Sequence, residues 1–355
     1  MTLKIAALTS GLYVPSARFR IRQYIVPLRK SGIEVSDYFP AVSQGARMPG
    51  VLGQIRLRYM PPIMAAQMLL NLLLRVPGII GSYRSNMVWL ERNFLPGLDS
   101  LAKILKRPMI LDLDDAIWLY NPMGTKMIGR LVSMADVVLA GNQFIADWCS
   151  KYSDSVHIAP TSIDCNRFVP RSENSLRGPD FPFTIGWSGT SGNFPFLYMI
   201  EGPLAKFLNS HPDTRFLVVA DQPPRFSRLP SRQIIFRQWM PDIENTIMHE
   251  MDVGIMPLRD DDLAKGKCSF KMLQYMAVKL PVIASPVCMN LEVFSRGDLG
   301  IAARNEADWL DALECLYRDT KLRATFGGNG RVLVLAHYSL ERSTPVLAGI
   351  FRSLS

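Results

Sequence analysis

Apolar positions along this chain recur in two alternating rhythms. Short continuous apolar runs, KIAALTS, IEVSDYF, MVWLE, PMILDLD and DVVLAG, read as buried strands. Between them lie stretches with helical spacing, such as ARFRIRQYIVPLRKSG, which Gly32 ends. This alternation predicts an α/β protein with a parallel sheet covered by helices on both faces. Residues Pro170 to Pro182, PRSENSLRGPDFP, break the rhythm and read as a linker. The rhythm then restarts. FTIGWSG, TRFLVVAD, QIIFRQW, VGIMPL and PVIAS read as strands. FPFLYMIEGPLAKFLNSH, DIENTIMHEM, FKMLQYMA, Glu306 to Arg318 and Leu340 to Leu354 read as helices. The pattern predicts two doubly wound, Rossmann-like domains over 1–172 and 173–338, facing each other across a cleft. A last helix over 339–355 is expected to pack back on the first domain.

Composition changes this picture little. A chain of 355 residues that is 48% hydrophobic and 20% charged has room for two cores and none for extensive disorder. The start, MTLKIAALTSG, reads as a first strand rather than a signal peptide, because its apolar run is short and has no charged leader. Cys149, Cys165, Cys268, Cys288 and Cys315 are scattered, which argues against a disulfide framework or a zinc cluster and for the cytoplasm.

Charge adds more. The net charge is +9, and residues 1–100 hold 12 Lys/Arg against 4 Asp/Glu, whereas the rest is nearly balanced. A basic region of this kind attracts anionic lipid, nucleic acid or acidic substrates. Within it, RLRYMPPIMAAQMLLNLLLRVPGII runs from Arg56 to Ile80 with an uncharged part of 16 residues between Arg58 and Arg75. That is short of the roughly 20 apolar residues a span needs. Two readings stand: a helix lying on a membrane surface with arginines at headgroup level, or a core helix of the first domain. At most the protein is peripheral, at the inner face of the plasma membrane.

Four stretches carry candidate chemistry. IGWSGTSGN, from Ile185 to Asn193, is a glycine turn between strand and helix, where Gly186, Gly189 and Gly192 allow close backbone approach and the helix N-terminus beyond suits a phosphate; Gly186, Ser188 and Gly189 are the donor-binding candidates. It is not the G-x-G-x-x-G fingerprint, and a turn without ligand is the alternative. DLDDAIW places Asp112, Asp114 and Asp115 at a strand's C-terminal end, where crowded carboxylates need cations, hydrogen bonds or shared protons. Helix capping is the alternative reading. PSARFRIRQY follows Gly11 and the first strand. There Arg18 and Arg22 share a helix face, and arginines at that place suit a phosphate or an acidic acceptor. Finally, GKCSFKMLQYMAVKLPVIASPV crowds Lys265, Lys267 and Lys271 at a helix start, with Ser269 as its N-cap, although a helix N-terminus favours anions. Either Asp260, Asp261 and Asp262 neutralise these lysines or a diphosphate belongs there.

The ordered series PSARFR, WLERN, DLDDAIW, IGWSGTSGN, FRQW, DVGIMPLRDDDLAKGKCSFKMLQYMAVKLPVIASPV and LRATFGGNGR resembles glycosyltransferase family 4, with the GT-B fold. The resemblance runs nearly end to end and is strongest from Asp252 to Val287. It implies a retaining transfer from a nucleotide-diphosphate sugar (UDP, GDP or dTDP) to a hydroxyl of a lipid-linked or glycan acceptor. It implies no cofactor and no metal, donor binding in the second domain and acceptor binding in the first. On this resemblance Lys267 and Lys271 neutralise the diphosphate, and Gln238 and Trp239 lie where the base is held. Asp114 matches a position near the donor sugar, with Asp115 beside it. Gln274 and Gly266 stand where the family often carries a Glu-x7-Glu pair. Gln274 retains the capacity to hydrogen-bond a ribose hydroxyl, and Asp260, Asp261 or Asp262 is a candidate substitute for the missing first Glu, with Asp261 counted in the donor-binding set. Gly11, Arg18 and Arg20 complete the expected acceptor and phosphate set. Two readings compete: a nucleic-acid-modifying glycosyltransferase, disfavoured because no basic stripe is interleaved with aromatics, and a non-catalytic sugar-nucleotide-binding scaffold.

Overall fold

The computed structural model describes residues 2–40, 61–95, 99–172 and 181–355. The chain divides into two compact units, Met1–Ser162 with Ser343–Ser355, and Ile163–Arg342. The linker expected over 170–182 falls mostly outside the described residues.

The first unit is built on six parallel strands: β1 (Leu3–Leu8), β2 (Ile33–Tyr38), β3 (Met87–Glu91), β4 (Met109–Leu113), β5 (Val137–Ala140) and β6 (Val156–Ile158). Their order is β2-β1-β3-β4-β5-β6. Strands β1, β3, β4 and β5 are buried along most or all of their length, which is why they read as unbroken apolar runs. The connecting helices are α1 (Gln23–Lys30), α2 (Pro61–Tyr83), α3 (Gly124–Met134) and α4 (Gln143–Cys149). The turn Ala17–Arg22 that leads into α1 is wound as a π-helix. The core gathers around Trp89, whose ring meets Tyr24 at 6.3 Å and Phe351 at 5.0 Å.

The second unit repeats the plan with β7 (Thr184–Ser188), β8 (Arg215–Ala220), β9 (Ile234–Gln238), β10 (Val253–Met256), β11 (Val282–Ala284) and β12 (Gly300–Ala302). All pair in parallel, in the order β12-β11-β10-β7-β8-β9. Its helices are α5 (Phe194–Tyr198), α6 (Glu201–Ser210), α7 (Asp262–Lys265), α8 (Phe270–Ala277), α9 (Met289–Phe294), α10 (Glu306–Arg318) and α11 (Thr320–Leu333). Phe183, Trp187, Phe207, Phe216, Trp309 and Leu313 belong to one buried cluster between sheet and helices.

The two units divide at Ser162 and Ile163, ten residues before the border read at 172, and residues from Ile163 onward pack into the second unit. The Ile163 N–H donates to the Tyr338 carbonyl at 2.8 Å, and Arg331 donates to the carbonyls of Phe168 and Cys165 at 2.7 and 3.1 Å. The same tie, through the Leu340 N–H to the Ile163 carbonyl at 2.9 Å, delays the return to the first unit until Ser343. The long helix read over 194–211 is two helices broken at Met199–Ile200, and the stretch read as a helix at 242–251 keeps only the 3₁₀ turn Ile247–Glu250. The final helix α12 (Leu340–Ser353) brings Phe351 onto Trp89, and Arg352 donates to the Ser31 carbonyl at 2.5 Å. Cys149, Cys165 and Cys315 are free thiols.

Candidate active site

In an open parallel sheet, ligands bind beyond the strand C-termini where the strand order reverses. In the first unit that point lies between β1 and β3, and in the second between β7 and β10. Both points are occupied by residues that carry chemistry.

In the second unit the site is built by α8 against the end of β7. The buried Tyr275 hydroxyl accepts the Ser188 N–H at 2.8 Å, and burial pushes its own pKa up. This bond fixes the helix on the strand. Lys271 stands one turn earlier on the same helix face, so it lies over the next residue, Gly189. A methyl group at Gly189 would stand 2.5 Å from the Lys271 Cε and 2.7 Å from the Trp187 ring. The lysine Nζ lies 5.6 Å from the centre of that ring, a cation–π arrangement. Gly189 is therefore the residue that lets an ammonium group rest on the strand end.

Ser269 does not cap α8 as expected. It takes a left-handed backbone (φ 51°), and its hydroxyl donates to Asn290 Oδ1 at 2.6 Å, while Asn290 donates to the Ser285 carbonyl at 3.0 Å. The acidic run resolves the crowding of lysines only in part. Asp261 caps α7 by accepting the Ala264 N–H at 2.8 Å, and Lys265 pairs with Asp262 at 3.3 Å and Asp260 at 3.8 Å. Gln274 is buried within α8, and Lys267 is half-buried in the turn before it. Gln238 and Trp239 end β9, two strands from β7. The Gln238 amide donates to the Asp221 carbonyl at 3.0 Å, and the Trp239 N–H donates to the Ala220 carbonyl at 2.8 Å. Asp221 accepts the Ser191 N–H and hydroxyl at 2.6 and 2.7 Å, which holds the turn after Gly189.

In the first unit the acidic strand end divides by depth. Asp112 is buried and accepts from Arg20 Nε at 2.8 Å and from Trp89 Nε1 at 3.1 Å. Burial pushes its carboxyl up to about 6 against the pull of Arg20. Arg20, expected to face a phosphate or an acceptor, is itself buried and also donates to the Ala159 carbonyl at 2.5 Å. Arg18 is half-buried over the Phe19 ring at 4.8 Å, and the Gly11 carbonyl accepts from Arg22 at 2.9 Å.

Asp114 and Asp115 lie nearer the surface, around a residue the motifs did not single out. Arg92 follows β3 in a left-handed conformation (φ 61°), rare for a bulky side chain. Its guanidinium lies 2.7 Å from Asp114, 3.8 Å from Asp115 and 3.6 Å from Glu91. Burial opposes its charge, but Asp114, Glu91 and Asp115 together raise its pKa well above the usual range. Glu91 is fully buried and accepts from the Ser10 N–H at 2.8 Å, from the Ser10 hydroxyl at 2.6 Å and from Ser16. Tyr120 donates to Asp115 at 2.6 Å, and burial together with the Asp115 charge holds its phenol above the ordinary value. The signal for Arg92 was present in WLERN: a Glu-Arg pair at the end of an apolar strand, in the first unit's reversal point. No group of three or more His, Cys, Asp and Glu that could hold a metal occurs among the described residues.

Comparison with known proteins gives a consistent result. No curated protein sequence matches the chain. Solved structures do. Sucrose-phosphate synthase from Thermosynechococcus elongatus superposes with a TM-score of 0.72 at 14% identity, over 99% of both chains. Anabaena Alr3699/HepE, solved in complex with UDP and glucose, gives 0.71 at 15% identity, over 99% of this chain and all of that one. The E. coli trehalose-6-phosphate protein bound with UDP-2-fluoro glucose gives 0.67 at 10% identity, over 99% of both chains. Residues 195–319 match the family model described as glycosyl transferases group 1. That segment of the second unit matches a group 1 glycosyl transferase domain, and the chain has the GT-B fold.

Proposed function

We propose that the protein transfers a sugar, with retention, from a UDP-sugar held by the second unit to a hydroxyl of a lipid-linked or polysaccharide acceptor held by the first, in the synthesis of a cell-surface glycan. The observation that carries this reading is Lys271 resting on Gly189 at the strand reversal of the unit that contains the group 1 domain. An ammonium placed where a leaving diphosphate gains charge lowers the barrier without a metal. Lys267, in the turn before the same helix, adds to that field. Gln238 and Trp239 flank the base, and Gln274 meets the ribose. UDP is favoured among nucleotides because HepE was solved with UDP and glucose and the E. coli relative with UDP-2-fluoro glucose.

On this reading Asp114 and Asp115 face the reacting sugar and its acceptor, with Arg92 holding both carboxylates in place. Arg18 and the loop at Gly11 receive the acceptor's anionic group. The acceptor's lipid places the enzyme at the inner membrane face, as the basic first hundred residues favour.

The direct test is a panel of radiolabelled UDP-, GDP- and dTDP-sugars scored for hydrolysis and for transfer to lipid-linked acceptors. Turnover with a UDP-sugar, and a product whose anomeric proton keeps the donor's configuration by NMR, is the expected result. Inversion would remove the retaining mechanism. A folded protein inert to every donor would remove the proposal.

A further inference from the structure

Helix α2 uses one side to pack on the first unit's sheet and leaves the other side apolar. We infer that this outer side, formed by Leu69, Leu73, Val76, Ile80 and Tyr83, seats the first unit on an anionic lipid surface. The inference deepens the membrane-face part of the proposed function and does not depend on the transfer chemistry.

The five side chains recur at spacings of four and three, so they form one stripe along the helix, and each is between 38% and 62% exposed. The opposite side is firmly held. Arg75 is buried and donates to the Phe94 and Thr9 carbonyls at 3.1 and 2.7 Å. Gly81 lies so close to the Tyr38 ring that any side chain there would collide with it. The stripe is thus a fixed feature of a docked helix, and Arg75, expected at headgroup level, serves the interior instead.

Charge selects the occupant. Between Asp37 and Glu91 the sequence holds four arginines besides the buried Arg75, and no lysine, aspartate or glutamate. Exposed Arg84 follows the helix directly. Exposed Lys103 lies in the turn Asp99–Ile104, whose Ile104 carbonyl accepts from the Tyr83 hydroxyl at 2.7 Å. An apolar stripe bordered by cations complements acyl chains beneath phosphate headgroups. A second copy on the same stripe would set these cations against their own images, which opposes self-pairing. No described helix is long and apolar enough to cross a membrane, so the stripe lies along the surface.

The test is sedimentation of the full chain with phosphatidylcholine vesicles, with and without phosphatidylglycerol. Wild type is expected to bind only the anionic vesicles and to be released by salt. The double variant Leu73→Gln, Ile80→Gln should bind about tenfold or more weakly, from the lost apolar burial. Should that variant misfold, the charge reversal Arg84→Glu, Lys103→Glu at exposed positions tests the same surface. The inference is overturned if wild type ignores anionic vesicles or if folded variants bind them as wild type does. It is overturned equally if the stripe instead mediates a dimer that the double variant dissociates. Calorimetric titration of UDP on the same preparations is independent of the outcome, so a failed donor site and a failed membrane face are told apart.

Discussion

Lys271 lies across Gly189 so closely that a methyl group on the glycine would stand 2.5 Å from the lysine Cε. The strand end and the helix therefore share one small space, and only a glycine leaves room for the ammonium arm. Gly189→Ala must push the lysine aside or strain the Trp187 ring. Overpacking of this kind costs about 1–3 kcal/mol. The expected result is a lower thermal midpoint together with weaker UDP binding by calorimetry. An unchanged UDP affinity would show that the lysine's resting place is irrelevant to the donor.

Lys271→Ala separates charge from packing. The side chain is half-buried with its ammonium over the Trp187 ring, a contact whose loss costs about 1 kcal/mol. Transition-state stabilisation should suffer far more, with turnover falling about 10²- to 10³-fold at saturating donor. Full activity in this variant, measured by release of UDP, would defeat its assignment to the diphosphate.

Arg20 and Asp112 offer a pH-dependent prediction. Burial pushes the Asp112 carboxyl up to about 6 in the folded unit, above the ordinary aspartate value of 3.8. Between these values the folded chain binds more protons than the unfolded one. This group's contribution is thus fully present below the lower value and is lost as pH rises through the upper. Arg20→Met removes the buried cation and drives the carboxyl higher still. The variant should lose about 3–5 kcal/mol at pH 8, as other broken buried pairs do. The loss should shrink toward pH 5, where a protonated Asp112 needs no cation. Denaturant melts of both proteins across that range measure it, and a loss independent of pH would contradict the account.

Arg92 holds three carboxylates from a strained backbone, an arrangement that favours a functional role over a structural one. Arg92→Gly relieves the left-handed strain but removes the cation that holds Asp114 and Asp115 in place. The proposed role predicts a turnover that falls about 10²-fold while UDP affinity, measured by calorimetry, stays as in wild type. Turnover equal to wild type would make Arg92 a scaffold residue.

Much of this molecule was legible along the chain. Buried parallel strands leave unbroken apolar runs, and most of the ten strands legible among the twelve in the described residues stood out for that reason; β2 and β9, at sheet edges and only partly buried, were long enough to register all the same. β6 and β12 escaped because they are three-residue edge strands, only partly buried, with too little apolar signal to register. The helix 242–251 was over-read because its apolar spacing serves one 3₁₀ turn packed beneath β7 rather than a continuous helix.

The candidate site was legible in kind and opaque in detail. Residue types and spacing determined that Lys271 begins a helix, that Gly189 ends a strand, and that Asp112, Asp114 and Asp115 follow another. Only tertiary structure decided which arginine meets which aspartate: Arg20 turns inward to Asp112, and Arg92, 22 positions before Asp114 in sequence, takes the outer one. It likewise decided that Tyr275 anchors α8 to Ser188 and so lays Lys271 on Gly189. Periodicity records which face of an element is buried, because burial is a property of each residue. The partner of a charge is set by distances between elements remote in sequence, and a one-dimensional pattern does not contain them.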